Sequence, residues 1–147
     1  MKIEDVFVQN RRLWVRLLEK GDKRHEMPCH HNLEIYLQEY LEHAGISGNP
    51  KGPLFPTIGR TTGVLTKTSL PQANAHAMIR RRTLPVGIKT RVGNHTCRAT
   101  GITAYLKSGG ALENAAAMAN HASIRTTQLY DRRLDEVNPD EVERIAI

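Results

Sequence analysis

The first 30 residues alternate between short apolar runs and turn signals, and this spacing constrains the fold more than any other feature. The runs are DVFVQ, RLWVRLLE and RHEMPCH, and the turn signals QNRR and KGDK separate them. Short runs rich in β-branched and aromatic residues between turn residues indicate strands. We therefore predict a three-stranded antiparallel meander whose second turn carries Lys20, Gly21, Asp22 and Lys23.

The rest of the chain has mostly helical patterns. HNLEIYLQEYLEHAGI has apolar residues at helical spacing and Gly45 as a C-cap. SGNPKGPLFPTIGRTTG is predicted to be a loop because of its Gly and Pro content. A helix through PQANAHAMIRRR is expected to follow, with Thr68 or Ser69 as its N-cap.

Four further helices are predicted after residue 93. Asn94 is expected to cap HTCRATGITAYLKS, 112–120 is Ala-rich, Ser123 is expected to cap IRTTQLYDRR, and NPDEVERIAI begins with a capping box. The predicted fold is one α+β domain over residues 1–147, mostly helical, with a small three-stranded antiparallel sheet packed on a helical bundle.

Composition excludes several classes of protein. No window of the sequence is apolar for the roughly 18 to 20 residues that a membrane span needs, and the first residues do not form a secretory signal. We expect a cytoplasmic protein with no membrane association. The two cysteines, Cys29 and Cys97, are too few for a disulfide framework and are expected to be free thiols.

The positive charge is concentrated in the middle of the chain. No Asp or Glu occurs between His43 and Leu112, a segment with ten Lys and Arg residues, whereas the flanking segments carry net charges of −1 and −3. The net charge of the whole chain is +6. A long basic segment favours a polyanionic partner, because Lys and Arg that contact phosphates release condensed counterions. The alternative is a solvated basic surface.

A set of residues later in the chain has the types that phosphodiester cleavage by a tyrosine requires. His95 and Arg98 are three apart in HTCR and so share one side of a helix. His121 and Tyr130 follow in NHASIRTTQLY. An unperturbed phenol at pH 7 is only about one part in a thousand phenolate, a deficit of roughly 4 kcal/mol, so a base and nearby cations are needed to activate it.

These motifs resemble the catalytic domain of the tyrosine recombinases, the family of phage integrases and of Cre-like and Xer-like recombinases. HTCR and NHASIRTTQLY match its most specific segment, and the LF of GPLFP and the hairpin EKGDKRHEMP are also similar. The resemblance spans nearly the whole chain. It implies site-specific DNA recombination or integration on double-stranded DNA, with self-association into a tetramer on that DNA. It also implies a bacterial or phage protein that is cytoplasmic and associated with the nucleoid.

The resemblance also implies a role for each matched residue. Tyr130 would attack the scissile phosphate to give a 3′-phosphotyrosyl link, and Arg98 and His121 would hold the non-bridging oxygens. His95 would act as acid or base, and Lys20 would protonate the departing 5′-oxygen, with Lys23 as its nearest rival. No metal or other cofactor is implied. DNA contacts are expected from a set of basic residues: Lys23, Arg80, Arg81, Arg82, Lys89, Arg91 and Arg125.

The sequence departs from the family pattern at three points. Asn120 replaces the family's Gly before the second His, and Ala99 follows the Arg where His is frequent. A further catalytic Arg, on a helix before the first strand, has no match among Arg11, Arg12 and Arg16. We therefore expect a truncated catalytic domain, inactive or weak alone, that lacks this Arg-bearing helix about five to ten residues upstream and the family's N-terminal DNA-binding domain.

Other interpretations remain open. One is a DNA-binding fragment or relic of an integrase without catalysis, which the missing Arg favours. Another is a zinc site from His25, Cys29, His30 and His31, although successive strand residues point to opposite faces. At the C-terminus, an apolar stripe of Val142, Ile145 and Ile147 is expected to pack either on a neighbouring protomer or on its own core.

Overall fold

A computed structural model gives the fold and describes residues 1–19 and 21–131. The chain divides into two compact units, Met1–Ala75 and His76–Ile147. Helix exceeds strand in the described ranges, and the predicted α+β class with a small three-stranded antiparallel sheet is confirmed. The elements are β1 (Val6–Gln9), β2 (Arg12–Leu18), β3 (Arg24–Pro28), α1 (His31–Ala44), β4 (Pro56–Ile58), β5 (Leu65–Ser69), α2 (Gln72–Thr83), α3 (Asn94–Lys107), α4 (Leu112–Met118) and α5 (Ile124–Gln128).

The first sheet is the meander that the strand and turn pattern predicted. β1 pairs antiparallel with β2, and β2 pairs antiparallel with β3. Asn10 and Arg11 both have positive φ, 50° and 63°, which suits the two-residue turn that joins twisted strands. The second turn closes where the N–H of Glu19 donates to the carbonyl of Lys23, 2.8 Å away, and Gly21 takes a left-handed φ of 80°.

The core of the first unit lies between this sheet and α1. Leu13 and Val15 of β2 are buried together with Cys29 and with Leu37 of α1. Helix α1 ends as predicted, because Gly45 adopts the left-handed conformation with φ 62°. Of the apolar residues at helical spacing in α1, Leu37 is buried, whereas Leu33 is 43 % exposed.

The segment between α1 and α2 contains a second sheet, and its first strand lies within the predicted loop. β4 and β5 form an antiparallel pair with a bulge, and the hydroxyls of Thr57 and Thr66 lie 2.6 Å apart across it. The prediction of a continuous loop was wrong because Pro56 begins a strand of only three residues, too short for alternation to be visible. Leu54 is fully buried, and the Tyr40 hydroxyl donates to its carbonyl at 3.0 Å.

Two predicted helix caps were also wrong. Thr68 and Ser69 lie in β5, and α2 begins at Gln72, with the carbonyl of Pro71 accepting the N–H of Ala75. Asn94 is the first residue of α3 rather than its cap, which is Gly93. A Ser, Thr or Asn near a helix start is not always the cap, because such residues also occur in strands and first turns.

The core of the second unit joins α3 to α4. Ile102 and Leu106 of α3 pack with Ala115 of α4, and Tyr130 packs against this cluster. The turn between the helices is tight: a Cβ on Gly110 would overlap the ring of Tyr105, which would have to move to make room for it.

In the two described ranges, no helix is both long enough and apolar enough to cross a bilayer. The predicted C-terminal helix and its apolar stripe, Val142, Ile145 and Ile147, lie outside the described residues.

Candidate active site

The four candidate residues of the second unit are brought together around one phenol. The Nδ1 atom of His95 lies 2.9 Å from the Oη atom of Tyr130, a hydrogen-bonding distance across 35 residues of chain. The rings of His95 and His121 both stack beside the Tyr130 ring, with centroids 6.1 Å and 5.4 Å away. The Arg98 guanidinium contacts His121, so all four side chains form one connected cluster.

Helix α3 presents His95 and Arg98 from its first two turns. The Nη1 atom of Arg98 donates to the carbonyl of Ala119 at 2.5 Å and faces Nε2 of His121 at 3.1 Å. A guanidinium has five N–H donors, so these two contacts leave three, on Nε and Nη2, and no described residue accepts from them. Arg98 is thus fixed by one nitrogen and can present the others to an anion.

The end of α4 places His121. The N–H of Asn120 donates to the carbonyl of Ala117 and the N–H of His121 to that of Ala116, both at 3.0 Å, which is the Schellman pattern of a helix end. That pattern requires a left-handed residue, and Asn120 has φ 49°. Asparagine tolerates this conformation better than other non-glycine residues, which explains why it can stand where the family usually has glycine.

The contacts of His121 indicate which of its ring nitrogens carries the proton. A guanidinium can only donate, so Nε2 must accept from Arg98 and be unprotonated. The proton then sits on Nδ1, which lies 2.8 Å from the hydroxyl oxygen of Thr127. Thr127 is fully buried in α5, so this acceptor is held rigidly.

Tyr130 lies just after α5, in a turn. The Ser123 hydroxyl accepts the N–H of Arg125 at 3.3 Å and caps the helix as predicted. The helix was predicted to continue through Tyr130, and this was wrong because α5 ends at Gln128. The Thr103 hydroxyl of α3 donates to the Tyr130 carbonyl at 3.0 Å, so the nucleophile candidate is tied to the same helix as His95.

The other predicted site residues are exposed where they are described. Lys23 lies in the turn after β2, Arg80, Arg81 and Arg82 form the last turn of α2, and Arg125 lies in the first turn of α5. Lys89 and Arg91 lie between α2 and α3 and are exposed too. Lys20 is outside the described residues, so its predicted role stays a prediction.

Two of the candidate zinc ligands, Cys29 and His30, have structural roles in the fold. Cys29 is buried in the core of the first unit, and burial raises the pKa of its thiol, which disfavours the thiolate that binds metals. The Nδ1 atom of His30 accepts the N–H of Asn32 and caps α1. Within residues 1–19 and 21–131, no three His, Cys, Asp or Glu side chains are grouped to hold a metal ion.

Three residues near the site were missed in the sequence. Thr127 fixes His121, Thr103 anchors the Tyr130 backbone, and His76 lines a cavity with His95. No local pattern distinguishes Thr127 from its neighbour Thr126, because only burial and the distance to His121 mark it. His76 could have been found from its spacing of four to Arg80 on a predicted helix.

Comparison with solved structures gives the same fold. A XerA recombinase superposes with a TM-score of 0.68 at 24% identity over 98% of this chain and 48% of that chain. XerH recombinase bound to palindromic difH substrate, in a post-cleavage complex, superposes with a TM-score of 0.67 at 24% identity over 98% and 39%. The chain thus spans less than half the length of these proteins.

Comparison with protein families is decisive, although a search of curated proteins found no match. The sequence profile described as the phage integrase family matches residues 1–136, nearly the whole chain. That range includes both segments that carry the resemblance, HTCR and NHASIRTTQLY. The chain belongs to the phage integrase family.

Proposed function

We propose that this chain cleaves and rejoins DNA strands in site-specific recombination, with Tyr130 as the nucleophile. The observation that carries the proposal is the 2.9 Å contact between Oη of Tyr130 and Nδ1 of His95. When Nδ1 is unprotonated, the phenol donates to it, and the imidazole can take the phenol proton as the oxygen attacks phosphorus.

Arg98 supplies the electrostatic part of the proposed reaction. Its three remaining N–H donors can bind the non-bridging oxygens, whose negative charge increases as Tyr130 attacks. The contacts of Arg98 with Ala119 and His121 fix the guanidinium before substrate arrives. Little reorganisation is then needed during the reaction, which is the main source of this type of stabilisation.

The proposed reaction exchanges one phosphoester bond for another and so requires no metal or nucleotide. The Tyr130 oxygen forms a bond to the 3′-phosphate while the bond from phosphorus to the 5′-oxygen breaks, and an acid protonates that oxygen. Family resemblance assigns this acid to Lys20, with Lys23 as its rival. In the second step the 5′-hydroxyl of another strand attacks the phosphotyrosine and releases the Tyr130 phenol, so the energy of the bond is conserved.

Double-stranded DNA is the proposed partner, bound in the cytoplasm at the nucleoid. Exposed cations support it, because Arg80, Arg81, Arg82, Lys89, Arg91 and Arg125 all belong to the second unit, together with the nucleophile. XerH, a protein of the same fold, is bound to its own difH substrate in two solved structures, one of which superposes on this chain with a TM-score of 0.62. We further propose that four copies assemble on DNA and that another arginine, on a helix preceding β1, completes the site.

A suicide substrate tests the proposal. Duplexes drawn from the DNA on either side of the gene, nicked so that cleavage cannot reverse, are incubated with the chain and with a form extended upstream in its reading frame. We expect a covalent adduct with the parent protein that is absent in Tyr130→Phe. Tyr36→Phe is the matched control, because that ring is 65 % exposed on α1.

The outcomes separate the two candidate functions. An adduct that survives in Tyr130→Phe would mean that another residue is the nucleophile. DNA binding without any adduct, in both forms of the chain, would favour the alternative of a non-catalytic DNA-binding fragment.

A further inference from the structure

A cavity lies beside the active site, between α2 and the start of α3. It has a volume of about 310 Å³, and the residues that line it include His76, Arg80, Arg91 and His95. His76 and Arg80 are four residues apart on α2, so they lie one above the other on the same face of the helix. The cavity is thus lined by basic residues from two helices and from the segment between them.

Among the described residues, no carboxylate pairs with the arginines of this cavity. No Asp or Glu occurs in the sequence from His43 to Leu112. The ion pairs found between described residues, such as that between Arg16 and Glu26, do not involve Arg80 or Arg91. Two guanidinium groups that face one cavity without a carboxylate repel each other, and an anion between them removes that repulsion.

Hydrogen bonds hold the segment that leads into α3 in place beside this cavity. The Thr96 hydroxyl donates to the carbonyl of Arg91 and accepts the N–H of Gly93, both at 3.3 Å. These two contacts fix the backbone that carries Arg91 relative to the first turn of α3. The cavity therefore has a defined position relative to His95, whose Nδ1 atom contacts the Tyr130 hydroxyl.

We propose that this cavity binds a backbone phosphate of the cleaved DNA strand, one that neighbours the scissile phosphate. The inference rests on the proposed function, and it assigns to Arg80, Arg91 and His76 one shared anion rather than separate contacts. His95 borders both the cavity and the nucleophile, so a phosphate held here would place the adjacent phosphate near Tyr130. The cavity would thus set the position of the strand along the active site.

Neutral backbone linkages test the proposal. The duplexes carry a single methylphosphonate at each position around the cleavage site found by adduct trapping, and binding is measured in the Tyr130→Phe background so that DNA stays intact. We expect one neighbouring position at which the neutral linkage weakens binding by the parent. At that position the neutral linkage should not weaken binding by the double variant Arg80→Gln, Arg91→Gln any further, because this variant already lacks the two charges that would contact the phosphate.

The matched control is the double variant Arg81→Gln, Arg82→Gln, which removes the same charge from neighbouring residues that do not line the cavity. It should keep the full effect of the neutral linkage. If the neutral linkage and the arginine substitutions weaken binding additively at every position, for both double variants, the shared phosphate site is wrong.

Salt dependence gives a second readout that does not require cleavage. The slope of log affinity against log salt should decrease in magnitude by about 0.9 in the Arg80→Gln, Arg91→Gln variant, the value for one phosphate rather than two. An unchanged slope, or a decrease near twice that value, contradicts a single shared phosphate. If DNA binds but no adduct is ever trapped, the proposed chemistry fails, and this slope still decides the assignment of the cavity.

Discussion

Arg98 determines the protonation pattern of His121. Its Nη1 atom donates to Nε2 of the imidazole at 3.1 Å, and the opposite nitrogen, Nδ1, lies 2.8 Å from the buried hydroxyl of Thr127. The chain from guanidinium to imidazole to hydroxyl is consistent with only one neutral tautomer. His121 is therefore aligned by residues on both sides before any substrate is present, which is how rigid sites limit reorganisation.

The first prediction concerns Thr127, a positioning residue that touches no reacting atom. Thr127→Val keeps the shape of the side chain but leaves Nδ1 of His121 without its acceptor. A hydrogen bond of this kind contributes about 1 to 1.5 kcal/mol, so we expect cleavage to slow about tenfold. Single-turnover adduct formation on a nicked duplex measures the effect.

Thr127→Ser is the matched control because it restores the hydroxyl and should restore the rate. Proton chemical shifts of the His121 ring supply a readout that packing alone would not change: the Nδ1 proton of the parent should show the downfield shift of a hydrogen-bonded donor, and this shift should be lost in the Val variant. An unchanged Nδ1 proton shift in Thr127→Val would contradict the positioning role.

The second prediction concerns the base at the Tyr130 hydroxyl. His95→Gln retains a polar side chain but loses the ring nitrogen that can take the phenol proton. General base catalysis contributes typically about 10² to 10⁴ in rate, so adduct formation should slow by that factor while DNA affinity changes little. His43→Gln, an exposed histidine on α1, is the control. Equal losses of rate and affinity would instead mean that His95 serves binding.

The types of residue in the site could be predicted because the reaction demands them. A single sequence is enough to recognise a phenol, imidazoles and a guanidinium at the intervals of HTCR and NHASIRTTQLY. The meander was predictable for a similar reason, since its turns carry residues that tolerate positive φ, such as Asn10 and Gly21. Local chemistry was sufficient in both cases.

Features that depend on tertiary packing could not be predicted. The β4–β5 hairpin has one strand of three residues, which has too few positions for a periodic signal. The end of α5 at Gln128 follows from packing of Tyr130 against α3 and α4, and the sequence after it offers no glycine or proline to mark the end. Thr127 became visible only through its distance to His121.

The third prediction concerns the helix end that places His121. Asn120 has a left-handed φ of 49°, a conformation that costs most non-glycine residues roughly 1 to 2 kcal/mol. Asn120→Ala should therefore lower the free energy of unfolding by about 1 kcal/mol, and Asn120→Gly should lower it less. Urea unfolding followed by circular dichroism measures both. If alanine is tolerated as well as glycine, the backbone conformation does not select the residue here.

Two acids in the first unit, one buried and one partly buried, respond to desolvation in the same direction. Desolvation raises the pKa of the Cys29 thiol, with the Glu34 carboxylate adding to the effect. Desolvation also raises the pKa of the Tyr40 phenol, which donates to the Leu54 carbonyl. In both residues the folded state therefore favours the neutral, protonated form more than the unfolded state does.

The last prediction follows from the sign of these shifts. Their contribution to stability is fully present below the unfolded pKa values, about 8.5 for a thiol and 10 for a phenol, and it is lost as pH rises through the higher folded values. The free energy of unfolding should therefore fall above about pH 8.5. Tyr40→Phe should reduce that alkaline loss while lowering stability at pH 7 by about 1 kcal/mol, since the bond to Leu54 is gone. Urea titrations between pH 7 and alkaline pH test this against Tyr36→Phe; equal alkaline slopes in both variants would contradict the role of Tyr40.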